Sequence, residues 1–156
     1  MPHDITGRCG CGEVAYRLTD APIIVHACHC TWCQRETGSA FALNGVIEAD
    51  RVEVTRGAPV AVDARPRAAA SGSCAAPPAR WPWSQHPGGS PALAYVRMGT
   101  LDDTSGVVPG VHIFTSTKQP WLTLPDDGPP VFENFYRPST VLSAEGYARF
   151  KTAIGR

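Results

Sequence analysis

Five of the six cysteines fall into two tight clusters. Cys9 and Cys11 form C-x-C, Cys28, Cys30 and Cys33 form C-x-C-x-x-C, and Cys74 stands apart. Thiols one or two residues apart pair poorly with each other, because a disulfide wants Cα atoms about 5.5 Å apart; long-range pairing in an exported protein is the remaining alternative. Clustered thiols on tight turns suit a single soft tetrahedral ion, zinc, held at about 2.3 Å. His29 lies between two of the thiols, so a mixed sulfur–nitrogen set competes with an all-sulfur set. On an extended strand Cys28 and Cys30 face one way and His29 the other, with Cys33 returning on the next turn, which favours three sulfurs. Three protein ligands leave one coordination position for a water or a substrate, whereas four close the site. Cys9 and Cys11 supply half a tetrahedron and need a second pair. A solitary cysteine is more often a small buried hydrophobe, a reading that suits Cys74.

The elements that must position these thiols are mostly short strands. Fifteen glycines and fifteen prolines in 156 residues, with 8% aromatics, argue for strands and turns over a long-helix bundle. Alternation places a strand around Val14, Tyr16 and Leu18, and the apolar run Ile23 to Ala27 reads as a second, buried strand, so that both cysteine clusters flank strands. Further strands are expected at Phe41 to Ile47, Arg51 to Thr55, Val60 to Val62, Ala92 to Met98, Val111 to Phe114 and Trp121 to Leu124. Thr31 to Glu36 reads as a turn or one helical turn, ended by Gly38 and Ser39. One helix is expected near the end, capped by Ser143, with Tyr147, Phe150 and Ile154 on one face and Gly155 after it. The fold class is therefore all-β with a short C-terminal helix, in one domain spanning residues 1–156.

Fourteen Lys and Arg against fourteen Asp and Glu give a net charge of zero, so the basic footprint of a nucleic-acid binder is missing. No uncharged stretch reaches the roughly 20 apolar residues of a membrane span, and the first residues lack the apolar core of a signal peptide. A cytoplasmic location, with thiols kept reduced, is expected.

Two longer runs carry a family resemblance. G-R-C-G-C-G-E-V-A-Y at Gly7 to Tyr16 and C-H-C-T-W-C-Q-R-E-T-G-S-A-F at Cys28 to Phe41 resemble the glutathione-dependent formaldehyde-activating enzyme family, the centromere protein V/GFA-type domain. So do G-T-L-D-D at Gly99 to Asp103 and H-I-F-T-S-T-K-Q-P-W at His112 to Trp121, and the likeness spans roughly residues 5 to 135. It implies a β-tent of antiparallel sheets with a structural and a catalytic zinc. Cys28, Cys30 and Cys33 match the catalytic zinc ligands, and Cys9 and Cys11 match half of the structural set. The implied activity is that of a carbon–sulfur lyase or synthase joining glutathione, or another small thiol, to formaldehyde or a related small aldehyde. A zinc-stabilised binding module without turnover is the alternative. Arg35 is a candidate for a glutathione carboxylate, since guanidinium fits carboxylate in a bidentate pair, and Trp32 for a wall of the pocket; a solvated charge and simple packing are their ordinary readings. Thr37, Gly38 and Ser39, with Asp102 and Asp103, read as turns, and His112 and Lys118 as a satisfied strand histidine and an exposed lysine.

The resemblance fails in one place. The other structural cysteine pair should be a C-x-x-C about forty residues beyond the trio, yet Cys74 is followed by Ala75, Ala76 and Pro77. Residues 64–83 are rich in Ala, Pro and Arg and lack strand alternation, an unusual insertion for a compact domain. His86 is a candidate replacement nitrogen. Two compensating shifts of reading frame between about Ala64 and Trp83 account for both the composition and the missing cysteine, because GC-rich codons read out of phase yield these residues. Translating the encoding DNA in the other two frames is expected to uncover a C-x-x-C here, and two frames without one would remove the explanation.

Overall fold

The computed structural model describes residues 5–59, 83–84 and 90–155. Its strands are β1 (Ile5–Arg8), β2 (Ala15–Leu18), β3 (Ile24–Cys28), β4 (Ala42–Glu48), β5 (Val52–Arg56), β6 (Trp83–Ser84), β7 (Leu93–Arg97) and β8 (Val111–Ile113). Among the described residues are also three α-helices, α1 (Thr31–Thr37), α2 (Pro138–Val141) and α3 (Ala144–Ala153), and three single 3-10 turns at Ala49–Arg51, Met98–Thr100 and Thr115–Thr117. One sheet has the order β1-β2-β5 and the other β6-β7-β4-β3-β8.

Burial explains the pairing of the sheets. Tyr16 and Leu18 alternate inward along β2, and they pack with Ile47, Ala94 and Val96 of the larger sheet and with Met98 just after β7 in one apolar cluster. Each such aliphatic side chain contributes roughly 1.5–3 kcal/mol when fully removed from water. Tyr16 is 1% exposed, and its hydroxyl finds Thr100 Oγ1 at 2.7 Å. Burial pushes its pKa up to about 12, so the ring stays neutral in the core. Close packing also demands small residues: a Cβ on Gly45 of β4 would collide with Met98 Sδ. A second apolar cluster joins Cys28, Cys33, Ala42, Val111, Ile113 and Tyr136, so the cysteine corner rests on core rather than on a free loop.

The architecture is mostly β, and the all-β expectation is corrected by α1, a two-turn helix where one turn at most was expected. A wholly antiparallel arrangement is corrected too, because β8 runs parallel to β3, pairing His26 with Val111 and Cys28 with Ile113. The chain reaches β8 by a crossover from β7, and a parallel neighbour requires only that the connection be long. Trp121 to Leu124 is not a strand: Pro120 and Pro125 flank it, Leu122 N–H bonds back to Gln119 O, and Lys118 Nζ takes the Leu122 carbonyl. Strands β1 and β6 and helix α2 were not anticipated. The expected strand at Val60 to Val62, with Cys74 and His86, lies outside the described residues.

The C-terminal helix forms as its residues predict. Ser143 Oγ accepts the Gly146 N–H at 3.0 Å, a standard N-cap. Gly146 sits against Ile23, and Arg149 reaches down to the end of β4, giving Nε to Glu48 Oε1 at 2.9 Å and Nη2 to Oε2 at 2.6 Å. Burial alone would raise the Glu48 pKa, but the bonds from Arg149 outweigh it and hold the carboxyl below its ordinary 4.5. A folded-state pKa below the unfolded one adds stability that is fully present above pH 4.5 and disappears as pH falls through the folded value. Glu48→Gln is therefore expected to cost about 2–3 kcal/mol at pH 7, with the gap to wild type narrowing below pH 4.5 in urea unfolding.

Candidate metal centre

Strand β3 ends on Cys28, the chain turns at His29, and Cys30 becomes the N-cap of α1 with extended dihedrals, φ −64° and ψ 148°. Its Sγ accepts the Cys33 N–H at 3.3 Å, doing with sulfur what a serine oxygen does at an ordinary cap. Cys33 then returns one helical turn later, and Gly38 closes the helix at a left-handed φ of 62° that favours glycine. Strand alternation followed by a helical turn thus converges three sulfurs on one point. They lie within 4.8 Å of one another, with Cys28 and Cys30 Sγ 3.5 Å apart.

Those spacings fit a metal. Tetrahedral thiolates on zinc at about 2.3 Å stand about 3.8 Å apart, inside the observed range. Cys28 and Cys33 are 5% and 8% exposed, while Cys30 is half-buried, so one side of the trio opens towards solvent. Hydrogen bonds from Cys28 and Cys33 push the Cys30 thiol down to about 2, and the same bonding pushes Cys28 up.

His29 turns away from the sulfurs, as alternation requires. Its ring is 0% exposed and its Nε2 lies 2.9 Å from His112 Nδ1 on the neighbouring β8. Burial holds His29 at about 4, helped by His112 and Lys118, so the imidazole is neutral. Its Nδ1 is buried without a hydrogen-bond partner among the described residues. The pairing gives His112 of the H-I-F run a role: it ties β8 under the thiol corner. Phe114 follows with a left-handed φ of 57°, unusual for a non-glycine residue, and turns the chain back over α1.

The returning loop is laced to the corner. Gln34 Nε2 donates to His29 O at 2.6 Å and to Thr117 O at 2.8 Å, and Gln119 Nε2 donates to Gln34 Oε1 at 2.6 Å. Thr117 Oγ1 adds a 3.1 Å bond to His29 O. Beside this lacing runs an open groove of about 500 Å³, lined among others by Thr31, Arg35, Ser39 and Trp121. Arg35 is exposed on the groove wall. Trp32 is half-buried and does not line it; the groove's aromatic is Trp121, 71% exposed.

Cys9 and Cys11 are brought together separately, on the turn between β1 and β2, with Sγ atoms 2.9 Å apart. Cys9 is buried and also accepts the Val14 N–H at 3.2 Å, while Cys11 is exposed. Burial raises the Cys9 thiol, but Cys11 and nearby backbone groups outweigh it and leave it lowered. Among the described residues only Cys28, Cys30 and Cys33 form a set of three metal-ligating groups. Asp102 meets Arg8 Nε at 2.8 Å, and Asp103 Oδ1 caps its own turn through Ser105 N–H at 2.9 Å, so the G-T-L-D-D run is structural. Lys118 is held by backbone carbonyls of Gln119 and Leu122.

The fold is mostly β and carries, at a strand–helix corner, a three-cysteine cluster suited to a metal ion. Residues 4–117 match the family model of the glutathione-dependent formaldehyde-activating enzyme, and the chain belongs to this family. The matched span stops short of the 135 suggested by motif likeness, just after the Thr115–Thr117 turn. No curated protein matches the chain. Among the described residues no helix is long and apolar enough to cross a membrane.

Gln34, Gln119 and Thr117 were not legible in the sequence, since three of their four bonds here span more than 80 positions, and neither was Trp121. Removing the Gln34 amide takes a donor from the Thr117 carbonyl and an acceptor from the Gln119 amide, and leaves His29 O with Thr117 Oγ1 alone. Gln34→Ala is expected to lose about 1–3 kcal/mol in denaturant unfolding, with faster hydrogen exchange in residues 115–119 than in β4.

Proposed function

We propose that this protein is a zinc-dependent carbon–sulfur lyase or synthase acting on a thiol–aldehyde adduct, of the kind that makes or cleaves S-(hydroxymethyl)glutathione. The observation that carries the reading is the convergence of Cys28, Cys30 and Cys33 at the start of α1, in a chain of this family, with a groove along the same helix. Those three thiols are the residues that would hold the ion. Zinc bound there supplies stabilisation of a thiolate at neutral pH, and the thiolate is the nucleophilic form of a thiol.

The chain's own residues then bind and orient. The half-buried Cys30 side is the approach to the trio, and the groove beside α1 takes the body of the thiol. Arg35 offers a bidentate fork to a carboxylate on that body, and Trp121 offers an apolar wall. Glutathione or another small carboxylated thiol suits this surface. In the synthetic direction the sulfur–carbon bond forms at the aldehyde carbon, and the thiol proton ends on the former carbonyl oxygen. Cys9 and Cys11 belong to a second, structural zinc set, for which Cys74 is the remaining sulfur in the sequence. A structural zinc contributes on the order of 10 kcal/mol to folding, so a set short of a C-x-x-C holds its ion weakly. All of this sits within one domain over residues 1–156.

The test is exchange between formaldehyde and glutathione, followed with zinc-loaded protein. Wild type is expected to exceed the uncatalysed rate, Cys33→Ser to fall to it, and Arg35→Gln to raise KM several-fold with little change in kcat. Metal analysis after dialysis is expected to find one firmly held zinc per chain, lost in Cys33→Ser. Wild type at the uncatalysed rate, with zinc retained, favours a binding module without turnover.

A further inference from the structure

The three sulfurs are not equivalent, and the difference comes from a polar chain behind them. Asn44 is 6% exposed in the middle of the apolar strand β4, where a side-chain amide needs partners. It stands directly opposite Arg97 in the β4–β7 register. Arg97 Nη1 donates to Asn44 Oδ1 at 2.5 Å, and Arg97 Nη2 donates to Glu36 on α1. Asn44 Nδ2 lies 3.9 Å from Cys33 Sγ, a long contact suited to the larger sulfur atom.

The orientation of this amide follows from chemistry. Guanidinium has only donors, so Arg97 can be met only by the amide oxygen. Once Oδ1 faces Arg97, the NH2 group has to face Cys33. Glu36 in turn fixes Arg97: both side chains are about four-fifths removed from solvent, at 22% and 19% exposure. Cys33 and Glu36 are one turn apart on α1, so the chain Glu36–Arg97–Asn44–Cys33 closes a loop between helix and sheet.

Resting on the metal-site reading above, we infer that Asn44, aimed by Arg97, is a positioning residue that donates its amide N–H to the metal-bound Cys33 sulfur. Three thiolates on one divalent cation leave the cluster net negative in an apolar setting. An N–H donor backed by a guanidinium offsets that charge at Cys33, as the Cys33 backbone N–H does at Cys30. The Cys30 backbone N–H serves Cys28 in the same way, so what sets Cys33 apart is a side-chain donor held in place by Arg97. Outer partners of this kind commonly tune metal affinity 10–100-fold.

Cobalt(II) replaces zinc as a probe, because its sulfur-to-metal charge-transfer bands report the electron richness of the bound sulfurs. The reference is the band set lost in Cys33→Ser. Asn44→Asp keeps the Arg97 partner but removes the donor, and Arg97→Met releases the amide; Arg97→Lys retains a donor to Oδ1. Asn44→Asp and Arg97→Met are expected to move those bands to lower energy and to weaken zinc about 10–100-fold against a chelator. Arg97→Lys should stay near wild type. If Asn44→Asp does not fold, Arg97→Met against Arg97→Lys carries the comparison. Unmoved bands and unchanged zinc competition in folded Asn44→Asp or Arg97→Met overturn the inference while the trio remains the metal site. Wild type without cobalt–thiolate bands, or with bands that survive Cys33→Ser, overturns the metal-site reading and this inference with it.

Discussion

Three sulfur atoms within 4.8 Å of one another, on the edge of an apolar cluster, set the terms for everything around them. As neutral thiols they pack like small hydrophobes. As thiolates they repel strongly, since charges at such separations interact at several kcal/mol in a partly buried setting. A divalent cation, together with N–H groups aimed at sulfur, resolves the conflict. The corner supplies the second part itself: a helix N-cap made of sulfur at Cys30 and an amide at Cys33. A divalent cation would supply the first, and a tightly held zinc contributes on the order of 10 kcal/mol, which rivals the whole stability of an ordinary domain.

The rest of the larger sheet works to keep that corner from relaxing. Antiparallel β4 carries Asn44 beneath Cys33, and β7 carries Arg97 beneath Asn44. On the other side the parallel strand β8 places His112 against His29, so the residue between two metal-type ligands is anchored by a ring contact rather than left to swing. The left-handed turn at Phe114 brings Thr117 and Gln119 back onto Gln34, and that return also sets Trp121 along the groove. Rigid backing and an exposed groove therefore arise from the same few strands. An open coordination corner is useful only when the donors on the closed side do not move.

The second cysteine pair shows how differently a similar motif fares elsewhere. Cys9 and Cys11 sit on a β-turn with one sulfur buried and one exposed, and no third ligating group joins them among the described residues. The C-x-C spacing is shared with Cys28 and Cys30. What differs is the following turn of helix, which brings in Cys33. Ligand number, not ligand type, separates a centre that can support chemistry from half of one.

Local patterns in the chain determined much of this protein. Alternation marked β2 and short apolar runs marked β3, β4, β7 and β8 to within a residue or two, Ser143 marked α3, and the opposite facing of Cys28 and His29 followed from strand alternation. The family was legible in short motifs as well. These features are decided by neighbours in sequence, through sterics and hydrogen bonds that act within a turn or a pleat. The parallel direction of β8, the absence of a strand at Trp121–Leu124, the choice of Trp121 over Trp32 for the groove, and the Asn44–Arg97–Glu36 chain were decided only in three dimensions. Asn44 did leave a trace, as a lone amide in an apolar strand, but its partner lies 53 positions away. A polar group's partner and a strand's direction depend on which surfaces the core brings face to face. That is a property of packing among distant segments, and no local spacing encodes it.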